Sequence, residues 1–314
     1  MSIDILAFGE PLVEFNQQPA NEHEPQHYLQ GFGGDISNFC IAAARQGAKA
    51  GLISAVGADG FGERLLALWT QERVDARHVY TDPDAPTGVY FVSHDAHGHR
   101  FDYLRAGSAA SRYTHDRLPQ QAIAEARFLH LSGISLAISN SACDAGLAAM
   151  EHARKAGVRV SFDTNLRLRL WSLARARGIM REALAMTDVC LPSWDDITVL
   201  TGLDDRDAIV DYLLACGIGL VALKLGEEGA YVATAQARAL VPAWQVQAVD
   251  ATGAGDCFGG AFIARLAAGD EPFEAARYAN VAAALSTTGY GAVAPIPTAE
   301  TVLARLAQHV SVIG

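Results

Sequence analysis

The chain has 314 residues, 50% of them hydrophobic, and a net charge of −11 from 24 basic and 35 acidic side chains. This length predicts one large or two medium domains, and the acidic balance argues against nucleic acid or an anionic membrane as the main partner. The sequence does not begin like a signal peptide and contains no run of about 18 apolar residues. Its five cysteines are scattered, with no C-x-x-C pair. These features predict a cytoplasmic protein with free thiols.

The first third of the chain mixes short strands with glycine-rich turns. Apolar runs predict strands over residues 3–9 and 50–56, and helices are expected over 39–46 and 63–73. Two more strands are expected over 88–93 and 100–105, on either side of a polar turn. The polar segment before the glycine-rich turn at 31–38 reads as a loop or short edge strands. We therefore expect segments of about 12–31 and 86–112 to form a small β-flap on the main domain.

From residue 128 onward strands and helices alternate regularly. Strands are predicted over 128–133, 158–162, 189–193 and 220–223, and helices over 144–155, 176–185 and from 195. This order predicts a parallel sheet covered by helices on both faces, and hence one α/β domain over 1–314. Ligands bind such sheets beyond the carboxyl ends of the strands. The residues that follow predicted strand ends are Asn165, Arg167, Ser193, Asp196, Lys224 and Gly226.

The most informative stretch is residues 249–262, VDATGAGDCFGGAF. Phe258, Phe262 and Leu266 recur at helical spacing, so the glycine run predicts a loop that ends at a helix N-terminus. Unpaired N–H groups there attract anions, and small residues let a phosphate approach them. Asp256 could accept a proton from a hydroxyl group and so create a nucleophile. The alternative is an ordinary helix cap, since Asp and Gly are common in caps and turns.

Two better-known glycine motifs are excluded. A P-loop requires Lys and Ser or Thr after its last glycine, and no such sequence is present. The dinucleotide motif G-x-G-x-x-G would require glycine where Phe258 stands. A nicotinamide-dependent dehydrogenase is therefore disfavoured.

Taken in order, the two glycine-rich stretches resemble the signatures of the PfkB, or ribokinase-like, carbohydrate kinases. The first signature reads Gly33-Gly34, Asn38, Gly47 and Gly57, and the second is residues 250–262. The resemblance extends over about residues 3–297 and implies a three-layer α/β/α fold, Mg²⁺ and ATP. Segments 31–35, 103–105, 131–138 and 162–171 look most like family members that phosphorylate 2-keto-3-deoxygluconate.

The same resemblance implies roles for individual residues. Asp256 would be the base, in front of an anion hole formed by the N–H groups of residues 253–256. The implied sugar site contains Gly33, Gly34, Asn38, Tyr90, Tyr103, Arg105, Arg167 and Asp256. The implied nucleotide site contains Asn165, Ser193, Lys224, Gly226, Gly229, Gly253, Ala254, Gly255 and Asn280.

Two departures from the family pattern concern metal ions. The family often has Asn-x-x-Glu near its magnesium, whereas this chain has Ser193 and Asp196 at those ends. Asp196 is therefore the acid expected to contact Mg²⁺ through water. Ala251 follows Asp250 where Thr, Ser, Pro or Val is usual, which leaves open a monovalent-cation (K⁺) site beside this loop.

The substrate expected from these features is a sugar acid. Arginine forks suit a carboxylate, and Arg105 and Arg167 would supply them. The implied reaction phosphorylates the terminal 6-hydroxyl of 2-keto-3-deoxy-D-gluconate. Alternatives are a fructokinase- or ribokinase-type kinase of a neutral sugar or nucleoside, and a non-catalytic sugar-binding regulatory protein. Exposed flap edges also predict a homo-oligomer.

Overall fold

The computed structural model of the protein describes residues 3–18, 25–95 and 98–313. The strands are β1 Ile5–Phe8, β2 Leu12–Gln17, β3 Tyr28–Gly33, β4 Ala50–Gly57, β5 Asp75–Asp82, β6 Val89–Asp95, β7 Gly98–Leu104, β8 Phe128–Ser132, β9 Arg159–Asp163, β10 Val189–Cys190, β11 Leu220–Lys224, β12 Gly229–Thr234 and β13 Arg238–Pro242. The helices are α1 Asp35–Arg45, α2 Gly60–Gln71, α3 Gln120–Glu125, α4 Gly133–Ala137, α5 Asn140–Lys155, α6 Leu173–Leu184, α7 Trp194–Thr201, α8 Arg206–Ala215, α9 Ala254–Ala268, α10 Pro272–Ser286 and α11 Ala299–Ile313. Short 3₁₀ turns occupy Ala110–Arg112, His115–Arg117 and Gly226–Glu228.

The main sheet has nine strands in the order β13-β12-β11-β10-β9-β8-β1-β4-β5. Its pairs are parallel except at one edge, where β11, β12 and β13 run antiparallel. Side chains alternate between the two faces of each strand. Ile5 and Ala7 therefore pack with α1, α2 and α9–α11, whereas Leu6 and Phe8 pack with α3–α8. This arrangement confirms the predicted α/β fold with helices on both faces.

A second sheet of four strands, in the order β3-β2-β6-β7, comes from the segments predicted to form the flap. Its pairs are antiparallel apart from β2 with β6. Residues 19–24 and 96–97 of those segments lie outside the described residues. We use the name flap for this four-stranded sheet.

Several elements differ from the sequence-based expectation. Helix α1 begins four residues before position 39, because Gly34 with φ 88° turns the chain directly into the helix. β5, α8 and the hairpin β12–β13 were not predicted. β5 is half-exposed at the sheet edge and so lacks an apolar run. Within the described residues, no helix has the length and apolarity needed to cross a membrane.

Helices α1 and α9 pack closely on one face of the main sheet. A side chain at Gly260 would overlap the carbonyl oxygen of Phe39, and one at Gly259 would lie 3.3 Å from the Phe39 ring. The two glycines therefore allow the helices to approach each other. As a result, the helix turns that directly follow the two glycine-rich stretches lie side by side.

Candidate active site

Asp256 occupies the first turn of α9 without capping it. The N-cap is Gly253, whose φ of 77° is left-handed, and no side chain caps the helix. The Asp256 carboxylate instead accepts a hydrogen bond of 2.9 Å from Asn38 Nδ2 in α1. The helix-cap interpretation of this residue is therefore wrong, and its carboxylate is directed toward α1.

The surroundings of Asp256 make it a weak acid. Burial is the largest cause of a pKa raised from 3.8 to about 8, and the Asp35 carboxylate adds to it. The hydrogen bond from Asn38 and the charge of Lys224 oppose this shift of the pKa. A carboxylate with a pKa near neutrality can take a proton from a hydroxyl group and later release it.

The turn before Asp256 presents backbone N–H groups. Ala254 N donates to the Ala251 carbonyl at 3.1 Å. The N–H groups of Gly255 and Asp256 belong to the first helical turn, where no intrahelical acceptor exists. A side chain at Gly255 would lie 3.4 Å from Lys224 Nζ, which donates to Asp163 Oδ2. Amide groups and an ammonium group thus face the same small space, as an anion site requires.

Two cavities meet at this turn. The Asp256 cavity has a volume of about 650 Å³ and extends under the flap. The Gly226 cavity, of about 600 Å³, lies beyond β11. The residues that line both are Ser193, Asp195, Lys224 and Gly255. This geometry provides two adjoining binding spaces that share the anion site.

Most of the predicted sugar-site residues come together in the Asp256 cavity. Its lining includes Gly34, Asn38, Tyr90, Tyr103, Arg105 and Arg167. Gly33 lies behind Tyr90, and a side chain there would overlap the Tyr90 hydroxyl. That hydroxyl donates to buried Glu14, and the Tyr90 ring stacks on Tyr103 with centroids 5.5 Å apart.

The two predicted arginines have different surroundings. The Arg105 side chain is 10% exposed and forms an ion pair with the fully buried Glu10, which also accepts a 2.8 Å hydrogen bond from Ser108 Oγ. Burial raises the pKa of Glu10, and the Arg105 charge opposes this. Arg167 is 49% exposed, and its Nη1 lies 4.0 Å from Asp196 Oδ1. The charge of Arg167 is therefore less compensated than that of Arg105.

The residues predicted for the nucleotide separate into four groups. Ser193, Lys224 and Gly226 line the Gly226 cavity. Asn165, with a positive φ of 29°, lies in the Asp256 cavity, where its amide is 3.4 Å from Asp35 Oδ2. Gly253, Ala254 and Gly255 form the turn before Asp256, and Gly255 lines both cavities. The last two predicted residues are Gly229 and Asn280.

Gly229 and Asn280 are not among the described residues that line the two cavities. Asn280 donates to the carbonyls of Val241 at 2.8 Å and Pro242 at 3.1 Å. A side chain at Gly229 would overlap the Val241 carbonyl. Both residues therefore hold β13 in place in this structure, and their contact with a nucleotide stays a prediction.

Sequence reasoning missed three acids in the Asp256 cavity, Asp35, Asp163 and Asp195. Asp35 is buried and accepts hydrogen bonds from Ser132 Oγ and Asn165 Nδ2. Burial is the main cause of its raised pKa. Asp35 directly follows the first glycine pair and Asp163 ends β9. These positions in the sequence could have identified both as candidate site residues.

The acids near Lys224 fit a loosely held Mg²⁺ ion. The pKa of Asp196 is raised, mainly by burial and also by the charge of Asp163, while a hydrogen bond from Ser193 opposes this shift. No cluster of three metal-ligating side chains occurs in the described part of the chain. Mg²⁺ typically keeps several waters and binds one or two carboxylates plus phosphates. Asp196 and Asp163 match that donor set.

Asp250 organises the loop behind the anion site. Its Oδ1 accepts from Thr252 N and its Oδ2 from Gly291 N, each at 2.9 Å. A side chain at Gly253 would lie 3.0 Å from Ala292 Cβ, so the loop around residue 292 packs directly against the turn. The two loops are therefore held together next to the turn that precedes Asp256, and a monovalent-cation site beside them stays a prediction.

Comparison with known proteins gives a consistent result. The sequence profile of the family described as pfkB family carbohydrate kinase matches residues 2–299. A 2-dehydro-3-deoxygluconokinase from Thermoproteus tenax is 37% identical over 289 residues, covering 90% of this chain and 88% of the relative. Fructokinase-1 from Oryza sativa subsp. japonica is 34% identical over 311 residues, covering 95% and 96%. The crystal structure of a putative ribokinase II from E. coli in complex with ATP and Mg²⁺ superposes with a TM-score of 0.91 at 27% identity, covering 98% of this chain and 100% of that one.

Proposed function

Because the chain belongs to the pfkB family of carbohydrate kinases, we propose that it phosphorylates the sugar acid 2-keto-3-deoxy-D-gluconate. The phosphoryl group of ATP would be transferred to the terminal 6-hydroxyl group. The products would be 2-keto-3-deoxy-6-phosphogluconate and ADP. The 37% identity to the Thermoproteus tenax kinase of the same sugar acid supports this choice.

Asp256 would accept the proton of the attacking hydroxyl group. The Asn38 amide holds one carboxylate oxygen, which leaves the other oxygen for the hydroxyl. The N–H groups of Gly255 and Asp256, with the Lys224 ammonium, would stabilise negative charge on the phosphoryl group during transfer. Mg²⁺, held near Asp196 and Asp163 through water, would neutralise phosphate charge when bound. ATP would occupy the Gly226 cavity, so that its terminal phosphate reaches the shared anion site.

The observation that carries the sugar-acid assignment is the presence of arginines in the Asp256 cavity, two of which were predicted to bind the substrate. Arg105 and Arg167 line it in a protein whose net charge is −11. A carboxylate substrate can form charge-assisted hydrogen bonds with arginine. Arg167 is the stronger candidate, since Glu10 already compensates the charge of Arg105.

A neutral sugar such as fructose is the second candidate. Fructokinase-1 of Oryza sativa is 34% identical to the chain, and the Arg105–Glu10 pair leaves little net charge at that position. Asp35 and Asp163 would accept hydrogen bonds from the hydroxyl groups of either substrate. A non-catalytic sugar-binding protein is the candidate from another class.

The deciding experiment measures ADP release with Mg²⁺ and ATP against 2-keto-3-deoxygluconate, fructose, ribose and adenosine. Turnover confined to the keto acid is expected. Preference for fructose would retain the kinase and refute the sugar-acid assignment. ATP and sugar binding without turnover would favour the non-catalytic alternative. Repeating the assay with and without K⁺ tests the monovalent-cation site beside Asp250.

The proposal also includes a cytoplasmic location and a homo-oligomeric state. All five cysteines are free, which suits the reducing cytoplasm. The flap exposes Leu29 and Leu104, at 60% and 67%, on its two edge strands. We expect these edges to pair in a homo-oligomer. A sedimentation mass equal to one chain would contradict the oligomer.

A further inference from the structure

Arg169 links the main domain to the flap. It lies in the loop between β9 and α6, two residues after Arg167, and lines the Asp256 cavity. Its Nη1 donates a 3.0 Å hydrogen bond to the Phe101 carbonyl of β7. The donor therefore belongs to the main domain and the acceptor to the flap, and both residues line the cavity.

Within the part of the chain that the structure describes, strand β7 is the edge of the flap sheet and pairs with β6 alone. Carbonyl groups on the free side of an edge strand need another donor or water. Arg169 provides that donor at Phe101. Tyr103 lies two residues further along the strand on the same face, and Arg105 directly follows the strand end.

The flap is also held at a second point. Arg105 forms a buried ion pair with Glu10, which lies just after β1 in the main domain. Contacts at residues 101 and 105 together fix the position of the strand end that carries Tyr103. The guanidinium of Arg169 is close enough to Tyr103 for its charge to act on the phenol group. Loss of Arg169 would remove the contact at residue 101 and leave the Arg105–Glu10 pair in place.

We propose that Arg169 is a positioning residue that holds β7, and with it Tyr103 and Arg105, over the substrate cavity. This inference rests on the proposed function, because the effect on activity requires a sugar bound beneath the flap. Its effect on the flap itself does not require any substrate. The two effects can therefore be measured separately.

The test uses the full-length protein with Arg169→Ala, Arg169→Lys and a matched control, Arg154→Ala. Arg154 forms the same kind of exposed hydrogen bond, from Nη1 to the Ala185 carbonyl at 2.8 Å, but its bond lies outside both cavities. Arg169→Ala is expected to raise the KM for the sugar about 3- to 10-fold, as loss of one such bond implies. The KM for ATP should not change. Arg169→Lys should recover most of the loss, because its ammonium can also donate to Phe101.

Hydrogen exchange of the ligand-free protein supplies the readout that is independent of activity. Peptides covering residues 100–105 should exchange faster in Arg169→Ala than in the wild type, and Arg154→Ala should leave them unchanged. Unchanged exchange in Arg169→Ala would overturn the proposal. A raised KM with unchanged exchange would mean that Arg169 contacts the substrate directly, which also overturns it. Faster exchange in a protein that phosphorylates no sugar would support the flap contact and refute the proposed kinase function.

Discussion

Asn38 and Asp256 lie 218 positions apart in the chain, yet their side chains are joined by a hydrogen bond of 2.9 Å. The bond links the first turn of α9 to α1, which follows the first glycine pair. It fixes the orientation of the Asp256 carboxylate and stabilises its charged form. The two glycine-rich stretches therefore form one site through this contact.

Replacement of Asp256 tests its role as the base. Asp256→Asn keeps the side-chain shape but removes the proton acceptor, so kcat should fall about 10²- to 10⁴-fold while ATP binding is retained. ADP release and calorimetric ATP binding measure the two effects. Asp211→Asn, at an exposed ion pair with Arg238, is the control and should leave kcat unchanged. An Asp256→Asn enzyme within threefold of the wild type would contradict the assignment.

The pH dependence of activity should reflect the electrostatics around Asp256. Since its pKa is raised to about 8, the carboxyl is mostly protonated at lower pH, and kcat/KM should increase between about pH 6 and 8. Asp35→Asn removes a negative neighbour, lowers the pKa of Asp256 and should move this rise to lower pH. Asn38→Ala removes a hydrogen bond to the charged form and should move it to higher pH. pH–rate profiles that coincide for all three proteins would refute this account.

Stability should depend on the same carboxyl group. Its pKa is about 8 when folded and near 3.8 when unfolded, so the folded state binds the proton more tightly. The resulting stabilisation is complete below pH 3.8 and is lost as pH rises toward 8. Asp256→Asn should therefore melt about 2–6 °C above the wild type at pH 8.5. The difference should shrink on acidification, and thermal scans that show a constant offset would contradict the prediction.

Removing Arg105 alone should be costly for the fold. Arg105→Met leaves the carboxylate of Glu10 buried without its ion-pair partner, and such a change destabilises by about 3–5 kcal/mol. The double variant Glu10→Leu with Arg105→Met should recover most of that loss. Arg100→Met breaks the exposed pair with Asp102 and should change stability by less than about 1 kcal/mol. Urea unfolding measures each value, and equal effects of the two arginine substitutions would argue against the buried pair.

Arg167 should determine preference for a carboxylate. Arg167→Gln should raise the KM for 2-keto-3-deoxygluconate about 10- to 100-fold, the range for loss of a hydrogen bond to a charged group. Its effect on any residual fructose phosphorylation should be less than about twofold. Arg175→Gln, on the surface beside Asn140, serves as the control. An equal rise in KM for both sugars would show that Arg167 does not bind the carboxylate.

The sequence predicted the elements whose pattern is governed by burial. Apolar spacing and Gly269 correctly located α9, and Gly269 closes it with a φ of 103°. β5 could not be found this way, because an edge strand needs no continuous apolar run. The start of α1 was placed too late, since Ser37 and Asn38 are polar by sequence although the fold buries both.

The meeting of the two glycine-rich stretches could be predicted from the sequence, since Asn38 and Asp256 line one cavity and are joined by a hydrogen bond. The role of Asp256 as the base stays a prediction. The site was less predictable where a side chain binds another part of the protein. Arg105 is paired with Glu10, which is distant along the chain, and Asn280 donates to the β13 backbone. Both contacts depend on how distant segments pack. The burial that raises the pKa of Asp35 also arises only in the folded chain.

The packing of α9 against α1 has a consequence for biosynthesis. Asn38 and both segments of the flap emerge from the ribosome before the loop at Gly291 and before Asp256, which lies 218 positions after Asn38. A nascent or truncated chain thus contains one half of the site without the other. Under the proposed function it cannot consume ATP, so the activity arises only once the C-terminal helices have been synthesised and packed against the rest of the chain.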